Sequence, residues 1–438
     1  MMDIDRIEAL LRTRSPRERT YARQLPALTG TTPPGRVTVR VRGASSTGRS
    51  TQALALLVVL VIVSGSAAFG VWHFVQTTGS WGPAASASEG PGIFSATGSM
   101  TTPRVDAAAA LLADGRVLIA GGFPFTGGAL ASAELYDPAT GRFEATGSMS
   151  TPRWDMTTTR LSDGRILIAG GFDSSSQVLS SAEIYDPTTR TFVPTGSMGS
   201  ARTGQMATLL ADGRVLIAGG EDEATGSSAL APLATAELFD PTTGKFSPTG
   251  SMEAARSGSV ATLLLDGRVL IAGGYSGVVD QALSSAELYD PATGRFSPTG
   301  NLTEERAGAT ATLLTDGRVL VAGGQGGQGP TSSADLYDPA TGTFRPTGSM
   351  APASPRDGAS AIRLNDGRVL ILGGGQLTNS AELYDPATES FTAAASMASA
   401  RSSFTATLLP DGRVLIAGGA GLVAGNAVGL ASAELYEP

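Results

Sequence analysis

Residues 260–298 begin Val260-Ala261-Thr262-Leu263-Leu264-Leu265-Asp266-Gly267-Arg268-Val269-Leu270-Ile271-Ala272-Gly273-Gly274. After a variable stretch they continue Ala286-Glu287-Leu288-Tyr289-Asp290-Pro291-Ala292-Thr293-Gly294-Arg295-Phe296-Ser297-Pro298. Ala261 to Leu264 predicts a first strand, and Asp266-Gly267 a hairpin turn in which glycine accepts the positive φ of a tight reversal. Val269 to Ala272 is a short apolar run, the mark of a strand buried on both faces. Gly273-Gly274 frees the backbone to turn into a loop. Ala286 to Tyr289 alternates as a third strand, and Asp290 to Gly294 carries turn chemistry at every position. Arg295 to Pro298 starts a fourth strand at a sheet edge, where proline does least harm.

The same unit recurs along the chain. Asp-Gly-Arg followed by an apolar run starts at Asp114, Asp163, Asp212, Asp266, Asp316, Asp366 and Asp411, and a glycine pair closes each run, from Gly121-Gly122 to Gly418-Gly419. Successive pairs stand 45 to 54 residues apart, a period that points to four-stranded propeller blades. Each third-strand aromatic is followed seven residues later by a phenylalanine: Tyr136/Phe143, Tyr185/Phe192, Phe239/Phe246, Tyr289/Phe296, Tyr337/Phe344 and Tyr384/Phe391.

This pattern resembles the Kelch repeats found in the central domain of galactose oxidase, here with Phe at the family's Trp position and with Phe239 at one Tyr. The resemblance implies an all-β, seven-bladed β-propeller over residues 92–438. It implies little about function, because one fold hosts many activities. The seventh unit stops after its third strand at Tyr436, whereas Gly92-Ile93-Phe94-Ser95-Ala96-Thr97 copies a fourth strand ahead of any first strand. Residues 92–97 are therefore expected to complete the last blade and close the ring, which removes exposed sheet edges.

Ahead of the repeats, Ala53 to Val75 contains no Asp, Glu, Lys or Arg, and Leu54 to Val63 is Leu, Val or Ile at nine of ten positions. As a helix, 53–75 would span about 34 Å against a hydrocarbon core of about 30 Å. Residues 1–50 hold ten Arg and four acids. By the positive-inside rule they form a basic, largely disordered cytoplasmic tail, with 53–75 a single transmembrane helix. Residues 76–91, rich in Ser, Gly and Ala, read as a flexible linker that presents the propeller outside the cell, as in a bacterial membrane-anchored protein. The competing reading is a cleaved signal peptide, with Ser66-Ala67-Ala68 as its small-residue site, but a leading segment of fifty residues far exceeds an ordinary n-region.

The whole chain carries a formal −8, so the part beyond residue 50 carries −14, which argues against a nucleic-acid partner. There is no cysteine, which excludes disulfides and thiolate metal sites. One Arg recurs before every first strand: Arg104, Arg153, Arg202, Arg256, Arg306, Arg356 and Arg401. An acid recurs in every third strand: Glu134, Glu183, Glu237, Glu287, Asp335, Glu382 and Glu434. Repetition in every blade points to structural pairs, the alternative being a cationic ring for an anionic ligand. Single Asp-Gly turns lack the oxygen ligands of a calcium loop, so no metal or other cofactor is expected.

The strand 1–2 and 3–4 turns form one uniform face of the disc. The strand 2–3 and 4–1 connections form the other and carry the variation, which is where binding residues usually sit. Candidates are the residues that break the repeat there: Phe123, Phe172, Glu221 and Tyr275 after the glycine pairs, and Asp106, Trp154, Asp155 and Asp357 after the recurring Arg. Aromatic and carboxylate groups around one mouth suit a cell-surface glycan or an extracellular protein. The alternative is a single-pass sensor coupling the propeller to a cytosolic partner of residues 1–50. Copper radical oxidases share the Kelch-type fold, but that chemistry needs histidine ligands and a Tyr linked to Cys. The only histidine here is His73 in the apolar segment, so the chain is expected not to be an enzyme.

Overall fold

The Asp-Gly turns close tight hairpins. In blade 4 the Leu264 and Gly267 amides donate to Arg268 O and Leu264 O at 2.8 and 3.1 Å, and the Asp266 carboxylate accepts from the Arg268 amide at 3.0 Å. The computed structural model describes residues 91–438 except 224–229, 278–280, 352–355, 375–376 and 424–425. The basic segment 1–50, the expected helix 53–75 and the linker up to residue 90 lie outside the described residues. Among the described residues no helix is long and apolar enough to cross a membrane.

Seven four-stranded antiparallel sheets form the blades of a propeller. Blade 4 runs Val260–Leu263, Val269–Ala272, Ala286–Asp290 and Arg295–Pro298. Blades 1, 2 and 3 start at Ala108–Leu111, Thr157–Arg160 and Met206–Leu209, and blades 5, 6 and 7 at Thr310–Leu313, Ser360–Arg363 and Thr405–Leu408. Each first strand lies against the first strands of both neighbours, blade 7 returning to blade 1, so these strands ring the central axis. The second strand is buried at every position. Burying each Val, Leu or Ile side chain there contributes about 1.5–3 kcal/mol. The interior is a set of apolar layers between neighbouring blades, such as the one joining Leu270 and Leu288 of blade 4 to Val319 and Tyr337 of blade 5. Fourth strands form the solvent-facing rim.

The glycine pair exists because the next blade comes close. A Cβ at Gly273 would collide with the carbonyl oxygen of Arg306 in blade 5, and the Gly274 amide donates to that same oxygen at 2.9 Å. The aromatic spacing is explained by register. Tyr289 stands opposite Phe296 across strands three and four, ring centroids 4.8 Å apart, and its hydroxyl meets Thr249 Oγ1 of blade 3 at 2.9 Å.

The ring closes as the ends of the sequence imply. Ile93–Ala96 pairs antiparallel with Ala433–Glu437 as the fourth strand of blade 7, Phe94 opposite Tyr436. Their rings are 4.9 Å apart, so Phe94 fills the seventh phenylalanine position. Thr97 then bonds Tyr136 of blade 1 at 2.9 Å, tying one end of the chain to both blades at the seam. The 2–3 loops of blades 3, 4, 5 and 7 each fold into a small two-stranded ribbon.

Candidate functional site

The recurring Arg and acid meet inside every blade. Arg256 is completely buried and donates through Nη1 to Gly273 O and Ser285 O at 2.9 and 2.8 Å. Through Nη2 it donates to Ser285 Oγ and Glu287 Oε1 at 2.9 and 3.0 Å. The Glu287 carboxylate also accepts the Glu253 and Ala254 amides. The equivalent ion pair spans 2.8–3.3 Å in all seven blades. Burial lowers the basicity of Arg256 and its bond to Glu287 opposes that, and the charge is satisfied within the blade. Each Arg bolts the 4–1 connection to strands two and three and offers no cationic ring to a ligand.

Two residues after each Arg the chain enters the left-handed region. The positions are Asp106, Asp155, Gly204, Gly258, Gly308, Gly358 and Ser403, with φ between +50° and +59°. Here neighbouring blades touch backbone to backbone. The Asp106 amide donates to Ser403 O and the Asp155 amide to Asp106 O, both at 3.1 Å, while Gly258, Gly308 and Gly358 donate to the preceding position at 2.9–3.3 Å. Four blades use glycine, whereas blades 7, 1 and 2 place Ser, Asp and Asp in a conformation that costs L-residues up to about 1–2 kcal/mol, less for Asp, whose short polar side chain eases it. Strain kept at neighbouring positions is a pointer to function.

Beside those positions the 4–1 connection and the 2–3 loop cross in blades 1 to 5 and 7. Val105 bridges to Phe123, Trp154 to Phe172, Thr203 to Glu221 and Ser257 to Tyr275. The crossing brings aromatic rings of blades 1 and 2 together. Trp154 stacks on Phe172 at 4.5 Å with 25° between planes, meets Phe123 edge-on at 5.3 Å, and Phe123 touches Phe125 at 5.4 Å. Trp154, Phe123 and Phe125 are half-buried. Phe172 and Tyr275, expected as ligand contacts, are both only 4% exposed. Phe172 is the floor beneath Trp154, and Tyr275 packs with Ala282 and Ala307 under the blade 4 ribbon.

The carboxylates form an arc around the same mouth. Thr203 Oγ1 donates to Asp155 Oδ2 at 2.6 Å, and Ser257 Oγ donates to Glu221 Oε1 at 2.5 Å. Desolvation, reinforced by the charge of Glu221 and opposed by the Thr203 hydroxyl and Gly204 amide, pushes Asp155 up to about 7. Asp106 is raised well above the usual carboxylate range, first by desolvation and then by Asp155, with the Ser403 hydroxyl opposing. Its Oδ2 is a buried atom with no hydrogen-bond partner. Blades 1, 2 and 3 thus hold Asp106, Asp155 and Glu221 in sequence. Asp357, on blade 6, is separated from this arc by blade 7 and is not part of it.

Thr203, Ser257 and Ser403 belong to the site and escape a reading of the repeat. Each is a small polar residue whose partner lies one blade away. The available signal is a hydroxyl at 203 and 257, directly after the recurring Arg where other blades vary from Val105 and Trp154 to Ala307 and Asp357, and at 403, one place further on, where four blades carry glycine.

The Kelch motif family matches residues 156–199, 256–303 and 306–351. No curated protein matches the chain. Among 859 matching chains of solved structure is a fungal alcohol oxidase with catalytic diversity in the AA5 family, in complex with copper. It is 20% identical to this chain, covers 79% of it and 76% of its own length, and has a TM-score of 0.64. The expectation that the chain is not an enzyme is corrected on that finding: the same architecture carries an oxidase, so the fold does not exclude catalysis. At this identity the likeness shows the fold alone. Copper itself does not fit the residues present, since the sequence has one histidine, His73, and no cysteine. Among the described residues no three His, Cys, Asp or Glu side chains are grouped to hold a metal.

Proposed function

We propose that this β-propeller of Kelch motifs is a binding scaffold that receives a glycan or protein partner on the face carrying its 2–3 and 4–1 connections. The observation that carries the reading is the coincidence of three departures from the repeat on blades 1 to 3. These are the stacked Trp154, Phe172 and Phe123, non-glycine residues in the left-handed region at Asp106 and Asp155, and carboxyls at those two positions that meet hydroxyls of the neighbouring blades. A rigid scaffold with an irregular sector is how loops acquire specificity.

The uncharged stretch 53–75 and the one-sided arginines of 1–50 support a scaffold held at the cell membrane by one helix, with the propeller outside. Protection of the propeller from protease added to intact cells would refute that placement.

The site is tested by incubating the full-length chain with glycan and cell-envelope protein arrays beside Trp154→Ala and Phe123→Ala variants of equal melting temperature. Binding that both variants lose supports the reading. Binding that neither variant weakens moves the site off this sector.

A further inference from the structure

The geometry points to an arginine side chain, carried on a peptide segment of a partner protein, as the group this mouth is built to receive. The inference rests on the binding reading above and adds the chemistry of its occupant. Asp106 and Asp155 stand in adjacent blades joined by the bond from the Asp155 amide to Asp106 O. Their recorded partners are the hydroxyls of Ser403 and Thr203 and the Gly204 amide. Among the described residues no arginine or lysine forms an ion pair with either, whereas each repeat carboxylate of strand three has its own arginine. Asp106 Oδ2 is buried with no donor. Gln205, next to Gly204 and 6% exposed, also leaves Oε1 without a donor.

Two neighbouring carboxyls whose charged forms are disfavoured by poor solvation and by each other favour a cation that brings its own donors and restores their charge. Trp154 directly precedes Asp155 in the same connection, half-buried and stacked on Phe172. A guanidinium supplies five donors in a fixed plane, stacks on an indole face and sheds water more readily than an ammonium. Lysine offers a point charge and no plane. Charge complementarity extends beyond the mouth, because the chain after residue 50 carries −14. Pro124 and Phe125, both half-buried in the blade 1 loop that carries Phe123, suit an apolar residue flanking the arginine.

The test titrates the full-length chain with an acetylated peptide carrying one arginine between two leucines, its citrulline isostere and its lysine analogue, following tryptophan fluorescence and heat. Wild type should bind the arginine peptide at least tenfold more tightly than the citrulline peptide, with lysine between them. Trp154→Ala, Asp106→Asn and Asp155→Asn should each weaken the arginine peptide about tenfold and narrow its advantage over citrulline, with melting temperatures no lower than wild type for at least one Asn variant. Equal affinity for arginine and citrulline, or no binding of either, overturns the inference. So does displacement of the peptide by calcium ions alone, which would assign the carboxylates to a metal. A neutral glycan or peptide bound in a Trp154-dependent way would overturn the arginine assignment while leaving the binding face intact. Ligands insensitive to all three substitutions would overturn both.

Discussion

The buried Arg–acid bolt of blade 4 gives the sharpest test of how this propeller holds together. Arg256→Met removes four hydrogen bonds and leaves Glu287, 3% exposed, with a charge and only two amide donors. Breaking a buried pair by removing one partner costs about 3–5 kcal/mol. The two carbonyls of Gly273 and Ser285 lose their donor as well, at about 1 kcal/mol or more each. The expected loss is about 5 kcal/mol, a large share of the usual net stability of a domain. Adding Glu287→Leu removes the stranded charge but frees the Glu253 and Ala254 amides. The double variant should therefore recover part of the loss and stay about 2–4 kcal/mol below wild type. Isosteric apolar replacement can be neutral for a simple buried pair. It should not be neutral here, because this pair also terminates backbone groups. Urea unfolding of the full-length chain, followed by tryptophan fluorescence and circular dichroism together, measures all three. Arg256→Met within 1 kcal/mol of wild type, or a double variant as stable as wild type, would refute the reasoning.

Three further perturbations separate closure, strain and charge. Phe94→Ala should cost about 2–3 kcal/mol because it opens the seam at Tyr436, while Ile93→Ala, 59% exposed, should stay within about 0.5 kcal/mol; equal melting temperatures would sink the closing-strand account. Glu389 sits at φ +52° where four other blades carry glycine, and bridges Arg318 at 2.6 Å and Arg345 of blade 5. Those two arginines hold its carboxyl down at about 2. Glu389→Gly exchanges relief of about 1 kcal/mol of strain for partly exposed ion pairs worth about as much, so it should be near neutral at pH 7. A lowered carboxyl stabilises the fold above its unfolded value near 4.5 and loses that contribution as pH falls towards 2. Below pH 4 the glycine variant should thus become the more stable, and parallel melts from pH 7 to pH 2 would disprove the bridge. Asp155 has the opposite sign: its carboxyl is raised from 3.8 to about 7, so wild type should lose stability as pH rises from about 4 to 7 and stay lower above that. Because Asp155 is only half-buried, the full shift, about 4 kcal/mol by linkage, is a ceiling. Asp155→Asn should flatten the dependence and melt higher than wild type at pH 8, which thermal scans at pH 5 and pH 8 would check.

These tests bear on what the sequence made legible. The architecture was readable because each local choice repeats in phase. Asp266-Gly267 turns, Gly273-Gly274 admits the next blade, and Tyr289 finds Phe296 in register, so seven copies identify one fold. The closing strand was readable for the same reason, since Phe94 keeps the phase of a unit whose other strands lie more than three hundred residues away. Exposure at the mouth was not readable. Phe123 and Phe172 occupy the same place in successive repeats, yet packing buries Phe172 beneath Trp154, while the ring of Phe123 meets Trp154 only at its edge. The partners of the carboxylates were hidden too, because Thr203 and Ser403 reach Asp155 and Asp106 from neighbouring blades and a repeat shows only what recurs within itself. The two kinds of charge in this protein are distinguished by that same criterion. Glu134 and its six counterparts each recur with an arginine and are satisfied inside a blade. Asp106 and Asp155 do not recur, have hydroxyls and backbone amides for partners, and sit strained where four other blades have glycine. A residue that costs stability, departs from its repeat and lacks a counter-charge has no account in folding alone. A cation supplied from outside would complete it.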